Sequence, residues 1–241
     1  ASPRQSGSER KMGDIAEKIY SIAVDGPSGA GKSSLAKAIA AELHILYVDT
    51  GAIYRTIGCY ARRKGVETAD TEAVIALLPE VEIGMCYDAQ GLQHMLLHGE
   101  DVTEEIRLPE MSLYASAVSA IPEVRAFLLE MQRDFARKSS VIMDGRDIGT
   151  VVLPHADVKI FLKADVEVRA RRREIELQER GTPRPYKQVL EEMRQRDYND
   201  THRSAAPLRA AEDAVIVDTS DLDFRQSKEK LLEIIREKVG L

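Results

Sequence analysis

Short apolar runs recur along the chain at residues 19–24, 45–48, 140–143, 158–162 and 214–217. Each has the length and composition of a buried strand. Between them the apolar positions change to helical spacing, at 32–43, 52–64, 109–137 with a break at Pro122, 166–180, 186–203 and 224–239. Strands alternating with helices predict an α/β fold, with a parallel sheet covered on both faces. Ligands of such sheets gather at the C-terminal ends of the strands. Polar motifs just after a strand are therefore the ones that carry chemistry.

Residues 65–107 break this rhythm. Val81–Tyr87 and Leu92–His98, joined by Asp88-Ala-Gln-Gly91, predict an antiparallel hairpin inserted into the main fold. Gly99-Glu100-Asp101 reads as a second turn and Val102-Thr103 as a short third strand. Farther on, Gly181, Pro183 and Pro185 interrupt two helical patterns. The stretch Arg180–Pro185 either hinges a lid or is an ordinary surface loop. Residues 1–14 are polar and read as a disordered or tag-like extension; 15–241 form the folded part.

A chain of 241 residues, 44% hydrophobic, can bury a real core. Its net charge of −6, from 34 basic and 40 acidic residues, argues against a general binder of nucleic acid or anionic membrane. Cys59 and Cys86 have no Cys-x-x-Cys spacing and no histidine cluster nearby, which predicts a reduced, cytoplasmic protein without structural zinc. No apolar run reaches the about 18 residues that cross a bilayer.

The first strand run feeds Gly26-Pro27-Ser28-Gly29-Ala30-Gly31-Lys32-Ser33, followed by Ser34 and a helical segment rich in Ala and Leu. Gly, four residues, Gly, Lys, Ser between a strand and a helix is a phosphate-binding loop. Glycines let the backbone amides converge, and the helix N-terminus adds positive potential. Lys32 is expected at the β- and γ-phosphates of a nucleoside triphosphate, and the Ser33 hydroxyl on Mg²⁺.

Four further polar clusters follow. Asp49-Thr50-Gly51-Ala52-Ile53-Tyr54-Arg55 ends the second strand run. Its Asp or Thr can cap the next helix, but Arg55 sits where the helix dipole disfavours a cation, and a second phosphate explains it better. Asp144-Gly145-Arg146-Asp147 ends the third run. A plain turn favours Asp and Gly too, yet Val-Ile-Met before Asp144 resembles the setting of a Walker B acid that helps hold Mg²⁺. Arg146 would neutralise phosphate, and Asp147 would accept from a base amino group. Arg196, Asp200 and Arg203, at i, i+4 and i+7, fall on one helix face. They are either surface ion pairs or ligands for the charge of a nucleotide. Arg169, Arg171, Arg172 and Arg173 form a cluster interleaved with acids, which suits movable phosphate clamps better than a nucleic-acid patch.

Taken together, Asp25–Ser33, Asp49–Arg55, Gly99-Glu-Asp-Val-Thr103, Asp144–Thr150 and Arg196-Asp-Tyr-Asn-Asp200 resemble the bacterial cytidylate kinases, within the nucleoside monophosphate kinase family. The resemblance spans residues 19–240. It implies a P-loop three-layer fold with a central parallel sheet, a monophosphate-binding part enlarged by the antiparallel insert at about 65–107, and a short lid at about 169–190. It implies a monomer using ATP and Mg²⁺ to phosphorylate CMP or dCMP. Lys32, Arg146, Arg172 and Arg196 would be catalytic, and Gly26–Ser34 with Arg169 and Arg173 would bind ATP. Thr50, Arg55, Arg146, Arg196 and Arg203 would surround the CMP phosphate, and Asp200 the sugar hydroxyls. Ser116, Arg125 and Asp147 would read cytosine, and Ser33 and Asp144 would hold the metal. Thr50 stands where relatives often carry Ser, and Lys-Ser-Ser where some carry Lys-Gly-Thr; both changes keep a hydroxyl. Two rival expectations are a kinase of the same architecture for UMP or shikimate, and a P-loop switch that uses its arginines on RNA. The acidic charge and the lack of an Asn-Lys-x-Asp signature speak against the second.

Overall fold

A computed structural model describes residues 18–241. The expected extension at 1–14 lies outside the described residues. In chain order the elements are β1 (Ser21–Asp25), α1 (Lys32–Leu43), β2 (Leu46–Asp49), α2 (Thr50–Arg63), α3 (Thr71–Leu77), β3 (Ile83–Tyr87), β4 (Gln93–Leu97), β5 (Glu100–Asp101), α4 (Met111–Ser119), α5 (Pro122–Lys138), β6 (Val141–Gly145), β7 (Val158–Lys163), α6 (Val166–Glu179), α7 (Tyr186–His202), β8 (Val215–Asp218) and α8 (Phe224–Val239).

The five-stranded sheet is parallel, in the order β2-β6-β1-β7-β8. Its central strands are buried on both faces, which is why they read as continuous apolar runs: Ile22, Ala23, Val24, Val141, Ile142 and Met143 are all fully inaccessible. One face packs on α1 and α8 through Leu35, Ile39, Leu231 and Ile235. The other packs on α2, α4 and α5 through Ile53, Ile57, Met111, Val118 and Leu128. A third, smaller cluster of Ala170, Leu177, Val189 and Met193 joins α6 to α7.

Local chemistry sets the boundaries. Pro122 occupies the first turn of α5, so the helical pattern at 109–137 divides there into α4 and α5. Asp49 caps α2 by accepting from the Ala52 amide, and Asp223 forms a capping box with Gln226 on α8. At Gly58 an added Cβ would stand 2.7 Å from the Tyr114 Cβ, so the close approach of α2 and α4 depends on the missing side chain.

The insert differs in detail from expectation. The hairpin forms, pairing Ile83 with Leu97 through Tyr87 with Gln93. The third strand is Glu100–Asp101, not Val102-Thr103, with Leu97 opposite Glu100. The turn comes earlier because His98 (φ 51°) and Gly99 (φ 80°) both adopt the left-handed conformation that a two-residue hairpin turn demands. α3 was not expected at all. It is a short helix capped by Asp70, with Val74 as its one buried residue. Gln93 fastens the insert to the main sheet: its Oε1 accepts from the Asp49 amide at 2.8 Å and its Nε2 donates to the Asp49 carbonyl at 3.3 Å.

No helix among the described residues is long and apolar enough to cross a membrane.

Candidate active site

The register places Asp49 opposite Asp144, and Asp25 opposite Gly145. Three strand ends thus stop at one level, each followed by a polar loop. A cleft of about 1160 Å³ opens there, lined by Ser28–Ser34 on the P-loop side and by Ser116, Arg125 and Asp147 on the other.

Gly26 and Pro27 carry the P-loop beneath the cleft. A Cβ on Gly26 would meet the Leu162 carbonyl oxygen at 2.4 Å, so only glycine lets the loop leave β1 so close to β7. Lys32 is buried, and its Nζ donates to the Pro27 carbonyl at 2.8 Å. Burial pushes its pKa down, helped by the Arg146 charge. Ser33 Oγ donates to Asp144 Oδ2 at 2.9 Å, and the Tyr47 hydroxyl donates to Asp144 Oδ1 at 2.8 Å. Burial pushes the Asp144 carboxyl up. Ser34 lines the cleft beside them.

Across the cleft from the P-loop, Asp49 divides its carboxylate. One oxygen caps α2; the other accepts from Arg55 Nη2 at 2.9 Å. Thr50 Oγ1 donates to the Asp144 carbonyl at 2.7 Å, which leaves its lone pairs free. Arg146 Nε donates to Asp200 at 2.9 Å, while Arg196 Nε stays 4.0 Å from the same carboxylate. Arg196 Nη1 reaches Ser112 at 3.0 Å, and Arg203 Nη1 reaches Ser119 at 3.1 Å. Burial and the neighbouring Arg146 lower the Arg196 pKa to about 10. Burial would raise Asp200, but Arg146 and Arg196 outweigh it and hold the carboxyl below its ordinary value. Arg125 pairs with Asp147, donates to the Ser119 carbonyl at 2.9 Å and lies over the Tyr54 ring.

Arg55, Arg196 and Arg203 all line the cleft, and each keeps one buried nitrogen without a partner: Nε, Nε and Nη2 respectively. Buried donors are almost always paired. Three unpaired guanidinium N–H groups around one cleft define a place shaped for an anion.

Arg203 lies just past the end of α7, with ψ 144°, so it reaches the cleft from an extended turn and not from the helix face that its spacing suggested. Arg172 and Arg173 line the cleft, Arg172 Nη2 donating to the Thr219 carbonyl at 2.7 Å and Arg173 Nη1 to Glu176 at 2.8 Å. Arg169, expected at ATP, is buried behind the P-loop, outside the cleft lining, where Nη1 donates to the Ser28 carbonyl at 3.0 Å and Nε to the Ala164 carbonyl at 2.9 Å. The sequence reading also passed over Asp25, Tyr47 and Ser112. Their partners lie far along the chain, and no local pattern marks them.

A family model for cytidylate kinase matches residues 22–237. A cytidylate kinase of Caldicellulosiruptor saccharolyticus is 47% identical over 223 residues, covering 92% of this chain and 98% of the relative. One from Carboxydothermus hydrogenoformans is 46% identical over 217 residues, covering 90% and 97%. Among solved structures, a shikimate kinase from Bacteroides thetaiotaomicron has a TM-score of 0.47 at 16% identity, covering 93% of this chain and all of its own.

Proposed function

The chain belongs to the cytidylate kinase family, and we propose that its cleft transfers the γ-phosphoryl group of ATP to CMP or dCMP. The observation that carries the reading is the set of unpaired guanidinium nitrogens on Arg55, Arg196 and Arg203, facing a P-loop across one cleft.

ATP lies with its β- and γ-phosphates in the curl of Ser28–Ser33, and Lys32 leaves the Pro27 carbonyl to bind them. A phosphate beside Lys32 restores the charge that burial disfavours. The CMP phosphate fills the space among Thr50, Arg55, Arg146, Arg196 and Arg203. Asp200, already aligned by Arg146, takes the sugar hydroxyls. An oxygen of that phosphate attacks the γ-phosphorus in line and ADP leaves. No covalent enzyme intermediate and no general base is required. Arg146, Arg172 and Arg196 stabilise the charge on the transferring group. Closure of the lid at about 169–190, around the turn between α6 and α7, keeps water from taking the phosphoryl group.

No group of three or more metal-ligating side chains occurs among the described residues. The Ser33–Asp144 pair suits Mg²⁺, which is held by few protein donors together with phosphate oxygens and water. When bound there, Mg²⁺ neutralises charge on the β- and γ-phosphates.

Cytosine presents an amino donor beside acceptors at N3 and O2. Asp147 accepts from the amino group, and Arg125 and Ser116 donate to the acceptors. Uracil reverses the pattern and leaves Asp147 facing a carbonyl. A coupled ADP-release assay over CMP, dCMP, UMP and AMP tests the reading. CMP and dCMP should be turned over well above the others, with the protein running as a monomer. UMP turnover equal to CMP, or no CMP turnover, rejects it.

A further inference from the structure

Asp147 stands at the N-cap of a wide π-type turn, Ile148–Val152, yet its side chain makes no capping bond there. An aspartate in that position ordinarily turns back onto the second or third amide of the turn, here Gly149 or Thr150. The Gly149 amide, together with that of Ile148, is already taken. Asp25 Oδ1 accepts from the Ile148 N–H at 2.8 Å, and Asp25 Oδ2 from the Gly149 N–H at 2.7 Å. Asp25 is the last residue of β1, buried, and immediately precedes the P-loop. Its role is that of a cap supplied from 123 residues away. Asp147 is thereby left to pair with Arg125 and to line the cleft.

We infer that Asp25 is a positioning residue for base selection: by holding the Ile148 and Gly149 amides it takes the nearer capping site from Asp147 and fixes the backbone from which Asp147 reaches Arg125 and the cleft. The inference rests on the assignment of Asp147 to the cytosine amino group. The contact also depends on the missing side chain of Gly149. A Cβ there would stand 3.3 Å from Asp25 Oδ2 and 3.2 Å from Lys159 Cδ, tight enough to push the carboxylate aside. Because Asp25 lies opposite Gly145 across the sheet, the residue that launches the donor loop also anchors the acceptor loop.

Asp25→Asn tests this. It keeps the shape but turns an amino group against one of the two amides. kcat/KM for CMP should fall about tenfold or more, the worth of one charge-assisted hydrogen bond, while UMP changes by no more than about twofold. ATP affinity measured without acceptor should stay within about twofold of wild type, since the P-loop keeps its own contacts. Gly149→Ala should give the same signature, and it decides the matter if Asp25→Asn does not fold. If Asp25 acts through Asp147, adding Asp25→Asn to Asp147→Ala should not narrow the CMP-to-UMP ratio further. Equal losses for CMP and UMP, or ATP affinity falling in step with them, overturn the inference while leaving the kinase reading intact. A wild-type protein that does not prefer CMP overturns both.

Discussion

Arg169 and Asp197 form a two-pronged ion pair, 3.1 and 2.5 Å, that locks α6 to α7 behind the P-loop. The same guanidinium holds the Ser28 carbonyl, so α6, α7 and the P-loop meet at one buried charge. Removing one partner of a buried pair strands the other, a loss of about 3–5 kcal/mol in such settings. We predict that Asp197→Ala lowers thermal stability and raises KM for ATP, with KM for CMP changed far less. Equal rises in both KM values would show that the pair supports the whole fold and has no particular link to the donor loop.

Lys32→Ala should fold normally and lose about a hundredfold or more in kcat, the usual worth of a group placed on developing charge. Burial already disfavours its ammonium, so stability should hold or rise. Calorimetry beside turnover measures both, and near-normal turnover would remove the P-loop from the reaction.

Asp147→Ala should narrow discrimination between CMP and UMP by one to two decades, roughly 1.5–3 kcal/mol, because only cytosine donates to that carboxylate. Arg196→Ala should weaken every monophosphate alike, since all present the same group. Parallel losses of CMP and UMP in Asp147→Ala would move base reading to another residue.

His94 sits between Asp101 at 2.8 Å and Asp88 at 3.3 Å, joining β4 to β5 and to the hairpin turn. Hydrogen bonds to Asp101 and then Asp88 raise its pKa, and both carboxyls are held below their ordinary values. The raised histidine stabilises the insert fully below its unfolded pKa, and that support disappears as pH rises through the folded value. The aspartates withdraw theirs at the acid end, as pH falls through their depressed values. Hydrogen exchange across residues 83–101 should therefore be slowest in mildly acidic solution and quicken, after correction for intrinsic rate, above neutrality. A flat corrected profile that His94→Gln leaves unchanged would show that the clip carries no stability.

The parallel strands were legible because a strand buried on both faces has no polar side to interrupt it, as at Ile22–Val24 and Val141–Met143. The P-loop was legible because its backbone geometry demands glycine at fixed intervals. What stayed hidden depended on contacts across the chain. Four arginines in a row of five look alike, and only the packing of α6 on α7 sends Arg169 inward while Arg172 and Arg173 reach the cleft. Asp25 was given no role of its own because its partners at Ile148 and Gly149 are remote. The third strand was displaced because nothing local announces a left-handed His98.

The bond pair from Gln93 to both backbone groups of Asp49 sets a rule for recombining this protein with its kin. The residues between 65 and 107 cannot be exchanged as a cassette on the strength of their ends alone. A transplanted insert has to bring an amide side chain at the position of Gln93, or the junction between acceptor loop and sheet is left with a frayed hydrogen-bond pair. Chimaeras that keep Gln93 should therefore hold the acceptor phosphate as tightly as the parent that supplies Asp49–Arg55, and those that lose it should bind every acceptor loosely.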